Sequence, residues 1–273
     1  MSIENCLEEA TKILKNVTTR PLLEAQILLS NILNKDRIYL HLHSNEMLDR
    51  KVLNHFFEDV KKRAKNYPIE YITKRVSFYS QEFYIKEGVL IPRPETELLV
   101  EKVLENVDTK KSVTIAEIGF GSGVVSIMLA KKLKNAKIVA TDISIKALEV
   151  ARENIKRHKV EKKVELRLCS FLECVDEKID IIVSNPPYIS QDFKLDKNIL
   201  YEPKEALIGG KKGDEILKKI IDIALIKKAK LLICEMGYDQ RESIKEYCNI
   251  KNLKPNFYKD LAFLDRGFVL RLN

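Results

Sequence analysis

The stretch "VTIAEIGFGSG" (residues 113–123) decides the fold of this chain. Its first part, 113–119, is mostly apolar, as in a buried strand. The whole sequence has 9 glycines, and three of them stand close together here, at Gly119, Gly121 and Gly123. Glycines at the end of a strand allow a tight turn and let the backbone approach a ligand closely before a helix begins. The stretch therefore predicts a strand, a ligand-binding loop and a helix in succession.

Strand-like and helix-like segments alternate through the rest of this region. Besides 113–119, strands are predicted at 137–142, 164–168, 179–184, 230–236 and 266–272, and helices at 123–134, 145–158, 214–228 and 239–251. Such alternation is typical of an α/β fold with a mostly parallel, doubly wound sheet. Ligands of these sheets bind beyond the carboxyl ends of the strands.

The residues before this region predict two further parts of the chain. Apolar residues at helical spacing, and Pro21 in a position that suits the first turn of a helix, predict a small helical domain over 1–66. Aromatic and β-branched residues then predict a connecting β-hairpin within 67–92, with residues 81–82 at its turn. The α/β domain is expected to occupy 93–273.

Composition argues against several classes of protein. The net charge of +8 comes from 48 basic residues interleaved with 40 acidic ones, which is more typical of solvated helix faces than of a nucleic-acid groove. Five cysteines without a C-x-x-C pair predict a reducing compartment with no need of disulfides, and four histidines without ligand spacing predict no metal site. The sequence has no signal segment and no apolar run of the roughly 20 residues that a membrane helix needs, so we expect a cytoplasmic protein.

An acidic residue after the second strand indicates the cofactor. Asp142 lies nineteen residues after Gly123, at a strand end where a carboxylate can accept hydrogen bonds from both hydroxyls of a ribose. The loop spacing is G-x-G-x-G rather than the G-x-G-x-x-G of dinucleotide sites. The acidic Glu117 before the loop would repel a pyrophosphate but suits a cationic amino acid and a sulfonium. These features favour S-adenosylmethionine.

The stretch "NPPYI" (185–189) indicates the reaction. Two prolines end a buried strand abruptly and stiffen a loop that offers hydrogen-bond acceptors rather than donors. The side-chain carbonyl of Asn185 and the backbone carbonyl of Pro186 can each accept one hydrogen of a substrate –NH2 group. Tyr188 supplies a flat face for a planar group. We therefore predict methyl transfer to a planar nitrogen.

With these residues assembled, the chain closely resembles the protein-(glutamine-N5) methyltransferases that modify peptide chain release factors. The resemblance covers nearly the whole chain through the following blocks: "PIEYI" (68–72), "VLIPRPETELLV" (89–100), "EIGFGSG" (117–123), "TDIS" (141–144), "NPPYI" (185–189), "YEPKEALIGGKKG" (201–213), "EMGYDQ" (235–240) and "KDLAFLDR" (259–266). It implies a seven-stranded, Rossmann-like methyltransferase sheet. It also implies methyl transfer from S-adenosylmethionine to the side-chain nitrogen of the glutamine in a release factor's Gly-Gly-Gln motif.

The resemblance also implies roles for individual residues. The glycine loop would hold the methionine part of the cofactor, Asp142 its ribose and Phe171 its adenine. The predicted cofactor-binding residues are Gly119, Phe120, Gly121, Ser122, Gly123, Asp142, Phe171 and Asn185. The predicted substrate-binding residues are Asn185, Pro186, Pro187 and Tyr188, with Asn185, Pro186 and Tyr188 catalytic, and residues 93–96 would wall the site. Three residues depart from the family's usual threonine, glycine and glycine: Phe120, Lys74 and Phe263.

Three alternatives remain open from the sequence. The same acceptor loop suits a DNA adenine-N6 methyltransferase or a ribosomal RNA guanine-N2 methyltransferase, and a chain without activity could bind a translation factor. Residues 1–92 carry 14 basic and 12 acidic residues, which is too near balance for strong phosphate binding. We therefore expect release factors as partners, no membrane, no direct nucleic-acid binding and a monomer.

Overall fold

A computed structural model describes residues 1–272 of the chain. Contacts divide the chain into two units. The first, the helical unit, contains Met1–Arg75 and Leu195–Tyr201, and the second, the α/β unit, contains Val76–Lys194 and the chain from Glu202 onward. The division into a recognition domain, a connector and a catalytic domain at residues 66 and 92 stays a prediction about function.

The helical unit contains five α-helices among its described residues. They are α1 (Ile3–Leu14), α2 (Pro21–Leu33), α3 (Arg37–Leu42), α4 (Arg50–Ala64) and α5 (Ile69–Thr73). Side chains cap three of them, because Ser2, Asp36 and Asp49 each accept a hydrogen bond from a backbone N–H of the first turn. Their apolar faces meet in one core that includes the fully buried Leu28 and Phe56. The helical character predicted for this part is thus observed.

A β-hairpin lies at the start of the α/β unit. Only its first residue, Arg75, is assigned to the helical unit. The hairpin pairs β1 (Arg75–Phe78) with β2 (Gln81–Tyr84). The turn lies at Tyr79 and Ser80, with φ of 54° and 56°, so the prediction of a turn at residues 81–82 is wrong. Two-residue hairpin turns of type I′ require positive φ at both positions. Tyr-Ser lacks the Asn-Gly signature that would have located it.

One large sheet organises the α/β unit. The further strands are β3 (Val113–Ile118), β4 (Ala136–Asp142), β5 (Val164–Leu168), β6 (Ile181–Ser184), β7 (Ile189–Ser190), β8 (Ile208–Gly210), β9 (Leu231–Glu235), β10 (Asn256–Lys259) and β11 (Asp265–Arg271). The helices are α6 (Glu97–Asn106), α7 (Val124–Lys132), α8 (Ile145–His158), α9 (Glu215–Ile226) and α10 (Arg241–Ile250). Within residues 1–272 the large sheet has seven strands in the order β10-β11-β9-β6-β3-β4-β5. The five from β9 to β5 pair in parallel, and β11 pairs antiparallel with both of its neighbours, β9 and β10.

Register aligns the strand ends that carry the predicted site. Ile118 of β3 pairs with Thr141 on one side and with Ser184 on the other, and Ser184 pairs with Cys234 of β9. Since these strands are parallel, their carboxyl ends meet at one edge of the sheet. The glycine loop, Asp142, Asn185 and Glu235 therefore lie along that edge.

The cysteines correct one expectation from the sequence. Cys169 and Cys174 form a disulfide across the turn that follows β5, whereas Cys6, Cys234 and Cys248 are free and buried. The prediction that this chain has no need of disulfides is therefore wrong for this pair. Its Cα atoms are 6.1 Å apart, within the range that a disulfide requires, and only the folded turn creates that proximity.

None of the helices between residues 1 and 272 is long and apolar enough to cross a membrane.

Candidate active site

The glycine loop leaves open space on the side where a ligand would lie. Gly119, Gly121 and Gly123 have φ of 76°, 52° and 82°, in the left-handed region that favours glycine. A Cβ atom added to Gly119 or Gly121 would meet nothing within 4 Å, whereas one on Gly123 would lie 3.2 Å from Cβ of Ala151 in α8. The first two glycines therefore form an open cradle, and the third permits close packing of the loop on α8.

The residues between the glycines face the protein interior. The side chains of Phe120 and Ser122 are buried, at 2% and 3% exposure. The backbone N–H of Phe120 donates to Thr141, and the carbonyl of Ser122 accepts from the buried Asn154. These bonds fix the shape of the loop. Because their side chains are buried, Phe120 and Ser122 can contact a cofactor only through backbone groups.

Asp142 ties the loop to the end of β4. One carboxylate oxygen accepts from the N–H of Gly121 at 2.9 Å, and the other accepts from the N–H of Ser144 at 2.9 Å. Burial raises the pKa of this carboxyl, while its backbone hydrogen bonds lower it. The next residue, Ile143, is 65% exposed and offers an apolar surface beside the carboxylate. A carboxylate and an apolar side chain at one strand end suit the ribose and the base of a nucleoside, and sequence reasoning did not single out Ile143.

Glu117 faces α7 rather than the open side of the loop. It is buried, and one carboxyl oxygen accepts from both the N–H and the hydroxyl of Ser126, the former at 3.0 Å. Burial raises the pKa of Glu117 to about 8. Glu117 therefore gives no ground for selecting a cationic cofactor, since its carboxyl binds inward and burial disfavours its charge.

Phe171 lies in the turn beyond β5, between the two disulfide cysteines. The N–H of Cys169 donates to the carbonyl of Asp142 at 3.0 Å, so this turn begins beside the ribose-binding candidate. Phe171 has a φ of 46°, and the ammonium of Lys219 lies 4.2 Å from its ring centroid. The ring is half-buried at the rim of the site, where it can contact an adenine.

Asn185 is held by a chain of hydrogen bonds that the sequence did not reveal. Its Nδ2 group donates to Oγ1 of Thr96 at 2.9 Å, and the hydroxyl of Thr96 donates to Glu235 at 2.8 Å. A hydroxyl has one proton, so Thr96 can only accept from Asn185. The amide of Asn185 is therefore oriented with its NH2 group toward Thr96, which leaves its carbonyl oxygen to accept from a substrate.

Glu235 also holds Tyr188. The phenol of Tyr188 donates to the second carboxyl oxygen of Glu235 at 3.0 Å. Burial raises the pKa of Glu235 to about 7, and burial together with Glu235 raises the pKa of Tyr188, which stays protonated as a donor. The side-chain amide of Gln240 donates to the backbone carbonyl of Tyr188 at 2.8 Å. The loop of Asn185 to Tyr188 is thus fixed at both ends.

The proline-rich stretch of residues 93–96 divides into two roles. Thr96 is 3% exposed and belongs to the hydrogen-bond chain of Asn185. Arg93 instead pairs with the buried carboxylate of Glu202, which also accepts from the N–H of Ile91 at 2.9 Å. Glu202 therefore anchors this stretch from the "YEPKEAL" block.

Most of the predicted residues come together at one edge. Asp142 ends β4, and Gly119, Gly121, Asn185 and Tyr188 follow neighbouring strands whose carboxyl ends lie at the same edge. Phe171 follows β5. Pro186 is buried and Pro187 is half-buried in the same loop. The cofactor and substrate roles of these residues stay predictions. Glu235 was missed, although an acidic residue at the end of a buried strand is the signal that identified Asp142.

Comparison with known proteins identifies the family. The family model "Methyltransferase small domain" matches residues 94–211, and "PrmC N-terminal domain" matches residues 5–73. The release factor glutamine methyltransferase of Clostridium acetobutylicum is 34% identical over 97% of this chain and 97% of that protein. That of Moorella thermoacetica is 36% identical over 98% of each. The chain belongs to the release factor glutamine methyltransferase family.

Membership of this family confirms the resemblance predicted from the sequence. A solved structure, the ribosomal protein L11 methylase from Lactobacillus delbrueckii subsp. bulgaricus, superposes with a TM-score of 0.51 at 24% identity, covering 69% of this chain and 84% of that one. This likeness and the seven-stranded sheet confirm the predicted Rossmann-like α/β methyltransferase fold. The predicted enzyme class, an S-adenosylmethionine-dependent methyltransferase, is confirmed as well.

Proposed function

We propose that this protein transfers a methyl group from S-adenosylmethionine to the side-chain nitrogen of the glutamine in the Gly-Gly-Gln motif of peptide chain release factors. The names of its relatives support a release factor glutamine as the substrate. The structural observation that carries the proposal is the orientation of Asn185, whose NH2 group is occupied by Thr96 and whose carbonyl is left to accept. We further propose that the enzyme acts as a cytoplasmic monomer without direct nucleic-acid binding.

The open cradle supports binding of the cofactor by this chain's own residues. Gly119 and Gly121 would hold the methionine part, Asp142 the ribose, and Ile143 with Phe171 the adenine. S-Adenosylmethionine supplies an electrophilic methyl group on a sulfonium. The fit rests on the space above the two glycines and on the carboxylate and apolar side chain at the end of β4.

Two acceptors position the substrate nitrogen. The carbonyl oxygen of Asn185 and the backbone carbonyl of Pro186 would each accept one hydrogen of the glutamine amide, with Pro187 and Tyr188 framing the planar group. An amide nitrogen is a poor nucleophile because its lone pair is delocalised. Holding both hydrogens aims that pair and favours the positive charge that develops on nitrogen. Held this way, the nitrogen would take the methyl group from the sulfonium of the cofactor, whose sulfur would keep the bonding electrons, and the amide would release one proton to solvent.

Thr96 and Glu235 act on this step as positioning residues. An asparagine amide can present either its oxygen or its NH2 group, and a presented NH2 group would repel the substrate hydrogens. The bond from Asn185 to Thr96 selects the productive orientation, and Glu235 fixes the direction of that bond by accepting from Thr96. Glu235 also accepts from Tyr188. One buried carboxyl therefore positions Tyr188 directly and Asn185 through Thr96.

We place recognition of the folded release factor in the helical unit. A glutamine amide is a small and common group, so contacts at Asn185 and Tyr188 cannot select one protein. The helical unit contains a cavity of about 680 Å³. Its lining includes three tyrosines and three lysines: Tyr67, Tyr71, Tyr201, Lys62, Lys65 and Lys74. A concave surface lined by aromatic and basic groups supports binding of a protein surface that carries apolar and acidic side chains.

One incubation separates this proposal from its rivals. The protein is given S-adenosylmethionine labelled in the methyl group and, separately, an intact release factor, duplex DNA and ribosomal RNA. We expect label in the release factor alone, and an Asn185→Ala control that transfers at least a hundredfold more slowly, since an acceptor in the transition state is worth about 3 kcal/mol. Label in either nucleic acid, with none in the factor, would refute the proposal.

A further inference from the structure

The hairpin of β10 and β11 ends in an exposed apolar tip. This tip, residues 260–264, connects the two strands and is named the hairpin tip below. Within it, Leu261 is 95% exposed, Phe263 79% and Leu264 44%. Single exposed apolar residues are ordinary on protein surfaces, but three within four positions form a small apolar patch.

The hairpin tip is rigid although its apolar side chains are exposed. Asp260 organises it, because one carboxylate oxygen accepts from the N–H groups of Ala262 at 2.9 Å and Leu264 at 3.0 Å. The other oxygen accepts two hydrogen bonds from the guanidinium of Arg266, at 2.8 and 3.1 Å. The N–H of Asp260 donates to the carbonyl of Leu264 at 2.9 Å, which closes the turn. The backbone that carries the apolar side chains is thus held in one conformation.

Phe263 occupies an unfavourable backbone conformation. Its φ is 61°, in the left-handed region where a bulky side chain crowds the following carbonyl. Residues held in such conformations persist where the surrounding structure imposes them, and they concentrate at functional sites. Here the strained residue gains little in return from the fold, because most of its ring is in solvent. We therefore attribute this conformation to a contact that Phe263 makes with another molecule.

The hairpin tip adjoins the candidate active site. Gly267 of β11 pairs with Glu235 at the end of β9, and the N–H of Met236 donates to the carbonyl of Arg266 at 2.9 Å. Because β11 is antiparallel to β9, the segment before it projects from the carboxyl edge of the sheet. The guanidinium of Arg266 lowers the pKa of both Tyr188 and Glu235, against the larger rise that burial causes. One residue therefore links the hairpin tip to the substrate pocket.

We infer that Leu261 and Phe263 form a docking surface for an apolar patch on the release factor, beside the loop that carries the reactive glutamine. The inference rests on the proposed function. A glutamine side chain bound at Asn185 and Tyr188 would leave the rest of its protein outside the site, over the surrounding rim. The hairpin tip is a rigid apolar part of that rim, and its one carboxylate is neutralised by Arg266, which suits a protein surface.

The test uses a double variant that keeps the backbone of the tip. Leu261→Ser with Phe263→Asn removes the apolar surface, and asparagine tolerates the left-handed conformation. The matched control is Ile226→Ser, because Ile226 is 76% exposed at the end of α9, before β9 begins at the opposite edge of the sheet. Steady-state methyl transfer is measured on the intact release factor and on a short Gly-Gly-Gln peptide, together with the melting temperature and cofactor affinity.

We expect kcat/KM on the intact factor to fall about tenfold in the double variant, as for the loss of an interface anchor. Activity on the peptide, cofactor affinity and the control should stay unchanged, and the melting temperature should stay equal or rise, because strain at residue 263 is relieved. Unchanged kcat/KM on the intact factor would overturn the inference, and so would an equal loss on the peptide. A wild-type self-association that the double variant abolishes would assign the surface to a second copy and also overturn it. Failure of the proposed function differs from all of these, since the wild type would then not methylate the factor.

Discussion

The Nδ2 group of Asn185 donates to Thr96, and in the proposed mechanism this contact decides which end of the amide would meet the substrate. Replacing Thr96 with valine keeps nearly the same shape but removes the hydroxyl. Asn185 then lacks an acceptor and Glu235 lacks a donor, so the amide can rotate to the unproductive orientation. We expect single-turnover methyl transfer to slow by a factor of about ten or more, in line with roughly 1.5–3 kcal/mol for a hydrogen bond to a charged or buried group.

Thr96→Ser is the matched control for that experiment. Serine retains the hydroxyl that accepts from Asn185 and donates to Glu235, so it should restore most of the rate, with cofactor affinity equal in all three proteins. A purely structural role of Thr96 would affect cofactor binding or melting temperature along with the rate. Wild-type rates in folded Thr96→Val would contradict the positioning role.

Asp142 should govern cofactor affinity rather than turnover. Asp142→Ala removes the carboxylate that would bind both ribose hydroxyls and that also accepts from Gly121. The loss of two charge-assisted hydrogen bonds predicts a weakening of S-adenosylmethionine binding by about 2–4 kcal/mol, measured by calorimetry. Asp176→Ala, at an exposed aspartate of the same unit, serves as the control and should bind normally. An unchanged affinity in folded Asp142→Ala would remove this residue from the cofactor site.

For individual residues, the sequence predicts functional side chains that stand at strand ends. It misses residues that act by holding another side chain. Asp142 and Asn185 could be located because each follows an apolar run. The partner of Asn185 is 89 positions away in sequence, so no local pattern could reveal it. Glu117 shows the opposite error, since its position before the glycine loop was visible but the direction of its side chain was not.

Glu117 of β3 accepts hydrogen bonds from Ser126 of α7. The titration of this carboxyl makes the stability of the protein depend on pH. Burial raises the pKa of Glu117 from 4.5 to about 8, so the folded state binds this proton more tightly than the unfolded chain does. The contribution of this group to the free energy of unfolding is therefore fully present below about pH 4.5 and is lost as the pH rises through about 8. The measurement is chemical unfolding of wild type and Glu117→Gln at a series of pH values.

The difference between the two proteins isolates Glu117 from other titrating groups. Glutamine keeps an oxygen that can accept from the N–H of Ser126 and does not titrate. We expect the stability of wild type relative to Glu117→Gln to decrease from about pH 4.5 to about pH 8. A difference that stays constant over this range would show that the carboxyl is ionised in the folded protein at neutral pH.

Helices and strands with a clear apolar pattern could be predicted from the sequence. Short elements that form only through tertiary contacts could not. The predicted bounds of α8 and β5 agree with the structure, because apolar residues at helical spacing define α8 and a strict alternation of apolar and charged residues defines β5. Strand β10 was not predicted, since its four residues "NFYK" become a strand only by pairing with β11. The hairpin turn at Tyr79 is likewise imposed by tertiary contacts, including its N–H bond to Glu97 at 2.7 Å.

For the molecule as a whole, we propose a division between recognition and chemistry. The test charges the cavity of the helical unit by Lys65→Glu with Lys74→Glu, and compares it with Lys15→Glu with Lys51→Glu, at exposed positions outside the cavity. We expect the cavity variant alone to lower kcat/KM on the intact release factor, by several-fold to tenfold for two charge reversals at an interface. Both variants should bind S-adenosylmethionine normally and act equally on a Gly-Gly-Gln peptide, which should be a poor substrate for every form. Equal wild-type efficiency on peptide and intact factor would refute the division.

The most direct test of the account is to locate the transferred methyl group. An intact release factor is methylated by the wild-type protein and analysed by tandem mass spectrometry of the peptide that contains its Gly-Gly-Gln motif. We predict one added methyl group on the side-chain nitrogen of that glutamine, and at least a hundredfold slower formation of this product when Asn185→Ala replaces the wild type. A methyl group on any other residue, on the backbone or on a side-chain oxygen would contradict it.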